Sequence, residues 1–393
     1  MTTPLRKSIL TVLCLLIVAL PAAAIDRVTF TPEKKNKQGR LVKLSPVTLE
    51  GRTLLEYKEG GRVFQTPDGR LWTIPSDWKP SCKSDDRPFK PLTHDELAEQ
   101  LLKELPPGFK VYKTKHYLIL YNTSRVYAKW CGALFERLYM AFQNFWKRKK
   151  LDLTEPEFPL VAIIFGNQRN YINYAHKELG LTKEQTKAII GYYNIKTNLM
   201  VMSDLTNTSG NMSNRRRTAA QINKLLSRPG AAATTATIIH EATHQIAHNC
   251  GFHTRLADNP LWFVEGLALY FETPDLSSSK GWRTIGKLNP TRMHQFVKYA
   301  RNRPGNSLST LVKDDKRIRD LSLAENGYAE SWALTYFLIR QRPKEYVEYV
   351  KKISDKKPYL YDTPKERAKT FVEVFGDPAK LDEEFIRYMS KQQ

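Results

Sequence analysis

Apolar and polar positions alternate in different rhythms along the chain, and each rhythm predicts a different element. Arg6 and Lys7 precede a dense apolar run over residues 9–20, then Pro21 and Ala22-Ala23-Ala24. This order predicts a secretory signal peptide over residues 1–24. The run is shorter than the roughly 20 residues a helical span needs. Ile25 follows the predicted cut, where a lipid anchor would need Cys. No later stretch is apolar enough to span a bilayer, so the sequence predicts an exported chain (periplasmic, cell-envelope or secreted) with no transmembrane segment after cleavage.

Residues 25–44 are polar and basic, and read as a flexible arm. Residues 45–78 read as a small β module: strands at 47–57, 62–65 and 71–74, with turns at Gly60-Gly61 and Pro67-Asp68-Gly69. A Pro- and charge-rich linker covers 79–92. Thr93 caps a helix that ends before Pro106-Pro107. A strand at 117–121 leads into a long helix from Ser124, with Tyr127, Cys131, Leu134, Leu138, Phe142 and Phe145 at helical spacing. Residues 160–165 are an apolar strand, and 189–193 with 199–202 a hairpin. Residues 204–233 form a polar insertion, a surface loop or a lid, with one short helix at 219–226. Beyond 274 the pattern is helical, at 290–301, 326–341, 344–353, 364–375 and 381–390. The prediction is an α+β fold: a small β module, then one domain over 93–393 with a small mixed sheet and a helical C-terminal part.

Charge adds a partner class. Lys plus Arg number 62 against 40 Asp plus Glu, a net +22, and loss of Arg6 and Lys7 with the signal leaves +20. The excess suits an anionic cell-envelope polymer or an acidic substrate. An exported chain without a recognition motif argues against a specific nucleic-acid partner. Bases cluster at 34–43, 147–150 and 215–217; the second cluster also suits the C-terminus of its helix. Cys82, Cys131 and Cys250 remain after cleavage. They allow one disulfide with a free thiol, or three buried thiols. No Cys-x-x-Cys pair exists, so a core must hold the fold.

Four of the eight histidines lie between 240 and 253, two of them in His240-Glu241-Ala242-Thr243-His244. Residues four apart on a helix share a face, so His240 and His244 are placed to grip one metal ion, with Glu241 in reach of a water beside it. The segment reads as a helix: Thr234 or Thr235 as cap, Ile238, Ile239, Ala242 and Ile246 as apolar face, Cys250-Gly251 as stop. The plainer alternative is two histidines on an amphipathic helix.

A catalytic zinc takes three protein ligands. His248 continues the series but rotates away and rises too far along the axis. His253 fits no pattern, since the metzincin layout would put Gly at 247 and His at 250, where Ala and Cys stand. Glu265 lies in the apolar run Trp262-Phe263-Val264-Glu265-Gly266-Leu267-Ala268-Leu269-Tyr270, after Pro260 in a helix's first turn. A carboxylate there is costly unless paired or metal-bound. Its alternatives are a salt bridge for Glu265, and Glu272 as competing ligand or outer support.

The arrangement resembles the gluzincins, the thermolysin-like zinc peptidases of peptidase-MA type, and among them exported bacterial families still described as domains of unknown function. Twenty residues separate His244 from Glu265, and the Trp-Phe-x-Glu-Gly-Leu-Ala-x-Tyr run is similar to that branch. The resemblance covers residues 110–340 in outline and is specific at 239–272. It implies a zincin-like fold, His240, His244 and Glu265 as zinc ligands, and Glu241 as general base. It departs at Leu269, where thermolysin has an Asp supporting a histidine. Tyr328 is the candidate donor to the oxyanion, with its alternative as a core aromatic; His294 is the second candidate. The function expected is a zinc-dependent metallohydrolase, a peptidase acting on peptide or protein. Its rivals are a non-enzymatic polyanion-binding envelope protein and an inactive zincin scaffold.

Overall fold

The computed structural model describes residues 24–35, 40–206, 217–273 and 285–392. The predicted signal segment up to residue 23, and Arg215 and Arg216, lie outside them. The described residues fall into two compact units, those within Met1–Pro67 and Trp72–Lys90, and those within Asp68–Leu71 and Pro91–Gln393. The whole is mixed α+β, with small sheets and many helices.

The first unit is built on β1 (Ala24–Phe30), β4 (Val47–Glu56), β5 (Arg62–Gln65), β6 (Leu71–Ile74) and β7 (Ser81–Pro88), in the order β6-β5-β4-β1-β7. A separate pair joins β2 (Glu33–Lys35) and β3 (Leu41–Lys43). Two expectations are corrected. The arm over 25–44 supplies β1, because Val28 and Phe30 point one way and are buried with Phe64 and Ile74. The linker over 79–92 supplies β7, antiparallel to β1. That strand lies at the sheet edge and is almost wholly exposed, so it has no apolar alternation to read.

The second unit centres on a mixed sheet of β8 (Lys110–Lys113), β9 (Tyr117–Tyr121), β10 (Leu160–Phe165), β11 (Gly191–Asn194) and β12 (Leu199–Ser203), ordered β11-β12-β10-β9-β8. Strands β9, β10 and β12 run parallel, and the outer two antiparallel to their neighbours. All residues of β9 and β10 are buried, as expected of parallel strands covered on both faces. Alternate residues feed two cores. Ile119, Ala162, Ile164 and Met200 join one with α2 (Arg125–Arg148). Leu118, Leu120, Val161 and Ile163 join the other with α1 (His94–Glu104) and α3 (Gln168–Leu179). Short α4 (Lys183–Lys187) and α5 (Ala219–Leu226) precede α6 (Pro229–Asn249) and α7 (Leu261–Phe271).

Helices α8 (Pro290–Ala300), α9 (Ser307–Lys313), α10 (Lys316–Arg319), α11 (Ala324–Gln341), α12 (Pro343–Ser354), α13 (Pro364–Phe375) and α14 (Pro378–Ser390) complete the unit. None of the described helices is long and apolar enough to cross a membrane. The three cysteines among the described residues are free thiols. Helix α11 crosses α7 closely at Gly266: a Cβ there would stand 2.2 Å from Thr335 Oγ1 and 2.6 Å from the Ser331 carbonyl. Gly266→Val is therefore expected to destabilise the fold by about 3 kcal/mol, the upper end of overpacking penalties. A denaturation midpoint equal to the parent's would contradict that crossing.

Candidate metal centre

Helix α6 starts earlier than its sequence suggests. Pro229 takes the first helical position after Arg228, and three alanines carry the helix to Thr234 and Thr235. Thr235 is no cap; its hydroxyl donates back to the Ala231 carbonyl at 3.1 Å. The helix ends at Cys250, followed by Gly251 at φ 77°. Ile238, Ile239, Ala242, Ile246 and Ala247 are buried. The Gln245 amide donates to the Val161 and Asn198 carbonyls at 2.9 and 3.2 Å, tying α6 to β10 and to the turn before β12. Pro260 stands one residue outside α7, as its cap, and the first amide of the helix, Leu261 N–H, donates to Asp315 Oδ1 at 3.0 Å.

These two helices bring three donor atoms to one point. His240 Nε2 lies 3.0 Å from His244 Nε2 and 3.1 Å from Glu265 Oε2, and His244 Nε2 lies 3.6 Å from that same oxygen. Among the described residues this is the group whose donors could hold a metal ion. A tetrahedral centre with bonds near 2.0–2.2 Å separates its ligand atoms by roughly 3.3–3.6 Å. The donor set therefore fits zinc in kind; one separation, 3.6 Å, lies in that range, and the other two, 3.0 and 3.1 Å, fall just short of it.

Outer contacts orient the set. His240 Nδ1 faces Glu272 Oε2 at 3.4 Å. Glu272 in turn accepts from Asn289 Nδ2 at 2.8 Å and Arg292 Nε at 3.1 Å. Glu272 thus holds the far side of the His240 ring without joining the donor set. Burial disfavours a charged His240, but hydrogen bonds to Glu265 and Glu272 and the charges of Glu265 and Glu241 override it, raising His240 to about 10. Burial would lift Glu265; the His244 charge and hydrogen bonds from both imidazoles hold it well below the carboxylate range.

Glu241 sits beside the set. Its Oε2 accepts the Tyr193 backbone N–H at 2.9 Å, from the outer edge of β11. Burial raises its carboxyl above the usual range, against the pull of His240, His244 and the Tyr193 amide. Tyr328 lies one turn inside α11, since that helix opens at Ala324, ahead of the predicted start at 326. Burial raises its phenol, and the charges of Glu265 and Glu241 add to the shift, so it is within their electrostatic reach. His248 and His253 are outside the donor set. His248 stacks on Tyr193 at 5.9 Å, and His253 packs edge-on against Phe252 and Phe263; burial lowers His253 to about 3. His294 is exposed on α8, in a surface depression with Gln295 and Glu325.

Residues 234–360 match a family described as a protein of unknown function, DUF1570. That span includes both histidines, Glu241, Glu265, Glu272 and Tyr328. No curated protein matches. Among solved structures, a ZmpB metallopeptidase from Clostridium perfringens aligns with TM-score 0.31 and 12% identity, over 94% of this chain and 73% of that one.

The Tyr193 amide, Asn289 and Arg292 carry no signal in the sequence: one is backbone, and the others are common polar types on a distant helix. If Glu272 orients His240, then Glu272→Gln should weaken zinc affinity by roughly 10–100-fold, the usual effect of losing an outer-shell carboxylate. Competition against a chromogenic chelator measures it; affinity equal to the parent's would remove Glu272 from the site.

Proposed function

We propose that the chain is an exported zinc-dependent metallohydrolase, a peptidase, whose zincin-like catalytic domain spans residues 93–393. The observation that carries the reading is the meeting of His240, His244 and Glu265 donor atoms beside the half-buried Glu241 carboxylate. A zinc ion bound there would supply Lewis acidity, polarising a water and a substrate carbonyl. Glu241 is placed to take the proton from the attacking water and deliver it to the leaving amine. The Tyr193 N–H holds one of its oxygens. Tyr328 donates its phenolic hydrogen to the oxyanion that develops on the carbonyl; a phenol held neutral by burial keeps that hydrogen.

Export rests on the N-terminal pattern of bases, apolar run and small residues. The domain boundary rests on Thr93 capping the first helix of the second unit. The functional test is cleavage of an unstructured polypeptide, read by mass spectrometry. Cleavage that stops with a chelator and returns with zinc supports the reading; a zinc-loaded chain that cleaves no peptide bond across a varied peptide library contradicts it. Tyr328→Phe should lower kcat by about 100–1000-fold with KM little changed. An equal kcat would return Tyr328 to the core.

A further inference from the structure

Glu265 and the two histidines sit on separate helices, and no regular element joins α6 to α7. The two helices pack directly on one another, and the connection between them adds contacts of its own. The connection contains Leu256 at φ 61°, a left-handed conformation that a branched side chain disfavours. Its carbonyl accepts the N–H of Tyr359, itself at φ 60°, at 2.8 Å. Two strained residues, more than a hundred positions apart, therefore hold one another. Next in the connection, Asp258 is 1% exposed at its side chain and accepts from Arg367 Nε at 2.9 Å. Arg367 Nη1 reaches Asp315 Oδ1 at 2.7 Å, and that same oxygen accepts the Leu261 N–H that begins α7. Glu265 follows Leu261 by four residues, about 6 Å along the axis.

We propose that the clasp of Asp258, Arg367 and Asp315 positions the metal ligands, fixing α7 and so Glu265 against His240 and His244. This rests on the reading of those three residues as metal ligands. Burying such charges costs desolvation, and the apolar flank of α7 already packs it against α11 and α12 through Trp262, Phe263 and Leu267. What the clasp adds is a fixed start for α7, anchored from α13. Arg367 touches no donor atom; it acts through Asp315 and the helix.

The test uses the full chain loaded with zinc, and separately with cobalt(II), whose visible spectrum reports ligand geometry. Arg367→Met should weaken zinc affinity by roughly 10–100-fold and alter the cobalt band. Asp315→Asn keeps an acceptor for Leu261 but loses the charge, and should give a smaller loss. Thermal unfolding of the metal-free variants separates stability from placement. A lowered midpoint with the parent's zinc affinity and cobalt spectrum would overturn the clasp as a positioning device. Should Arg367→Met not fold, hydrogen exchange of the unaltered chain decides, because coupling is reciprocal. Zinc should then slow exchange at residues 354–362 as well as in α6 and α7; protection confined to the two helices would overturn the proposal. An unaltered chain that binds neither ion refutes the metal reading itself, whereas binding that the variants leave unchanged refutes only the clasp.

Discussion

Replacing Glu241 by Gln is expected to abolish hydrolysis while leaving zinc bound. The amide keeps the length of the side chain and an oxygen for the Tyr193 N–H, which Glu241 Oε2 accepts at 2.9 Å. It cannot take a proton from water. A positioned general base contributes about 100–10,000-fold. The loss should reach the upper end of that range, because neither of the other two carboxylates at the centre is placed to act as the base. Glu265 is turned to the histidines, and Glu272 is held by Asn289 and Arg292. Single-turnover cleavage with zinc content measured on the same sample checks this. Cleavage within a few fold of the parent would remove Glu241 from the chemistry.

The second large effect is at Glu265. Glu265→Ala removes the one donor that α7 contributes and leaves His240 and His244 facing a gap between buried helices. Zinc affinity should fall by more than the roughly 100-fold that marks loss of an outer-shell group. Hydrolysis should fall with it to the buffer rate. The metal-free variant should still fold, since Trp262, Phe263, Leu267 and Leu269 remain buried along α7. Circular dichroism with zinc titration separates these outcomes. A folded variant that keeps the parent's zinc affinity would mean the carboxylate serves as a salt-bridge partner and not as a ligand.

The sequence exposes some of this and hides the rest for physical reasons. His240 and His244 are readable because the helical repeat alone brings residues four apart together. Glu265 is readable because a carboxylate in so apolar a helix demands a partner. Leu269 shows that an outer support is missing, but only the fold reveals that Glu272 reaches His240 Nδ1. Contacts across long separations leave no pattern: Asp315 caps an amide 54 residues earlier, and Tyr193 holds Glu241 through backbone alone. Strand β7 escapes because an exposed edge strand has no buried face to alternate with. The extended start of α6 escapes for a different reason. Thr234 and Thr235 are good caps in isolation, but a proline and three alanines upstream offer the helix a longer run.

The most direct test is zinc titration of the purified chain lacking residues 1–24, with metal content by mass spectrometry after gel filtration. The expected result is one zinc per chain, lost in His240→Ala, His244→Ala and Glu265→Ala and kept in Glu241→Gln. A chain that retains no zinc from micromolar excess, or one that retains it equally when all three ligands are replaced, would contradict a metal centre at this site.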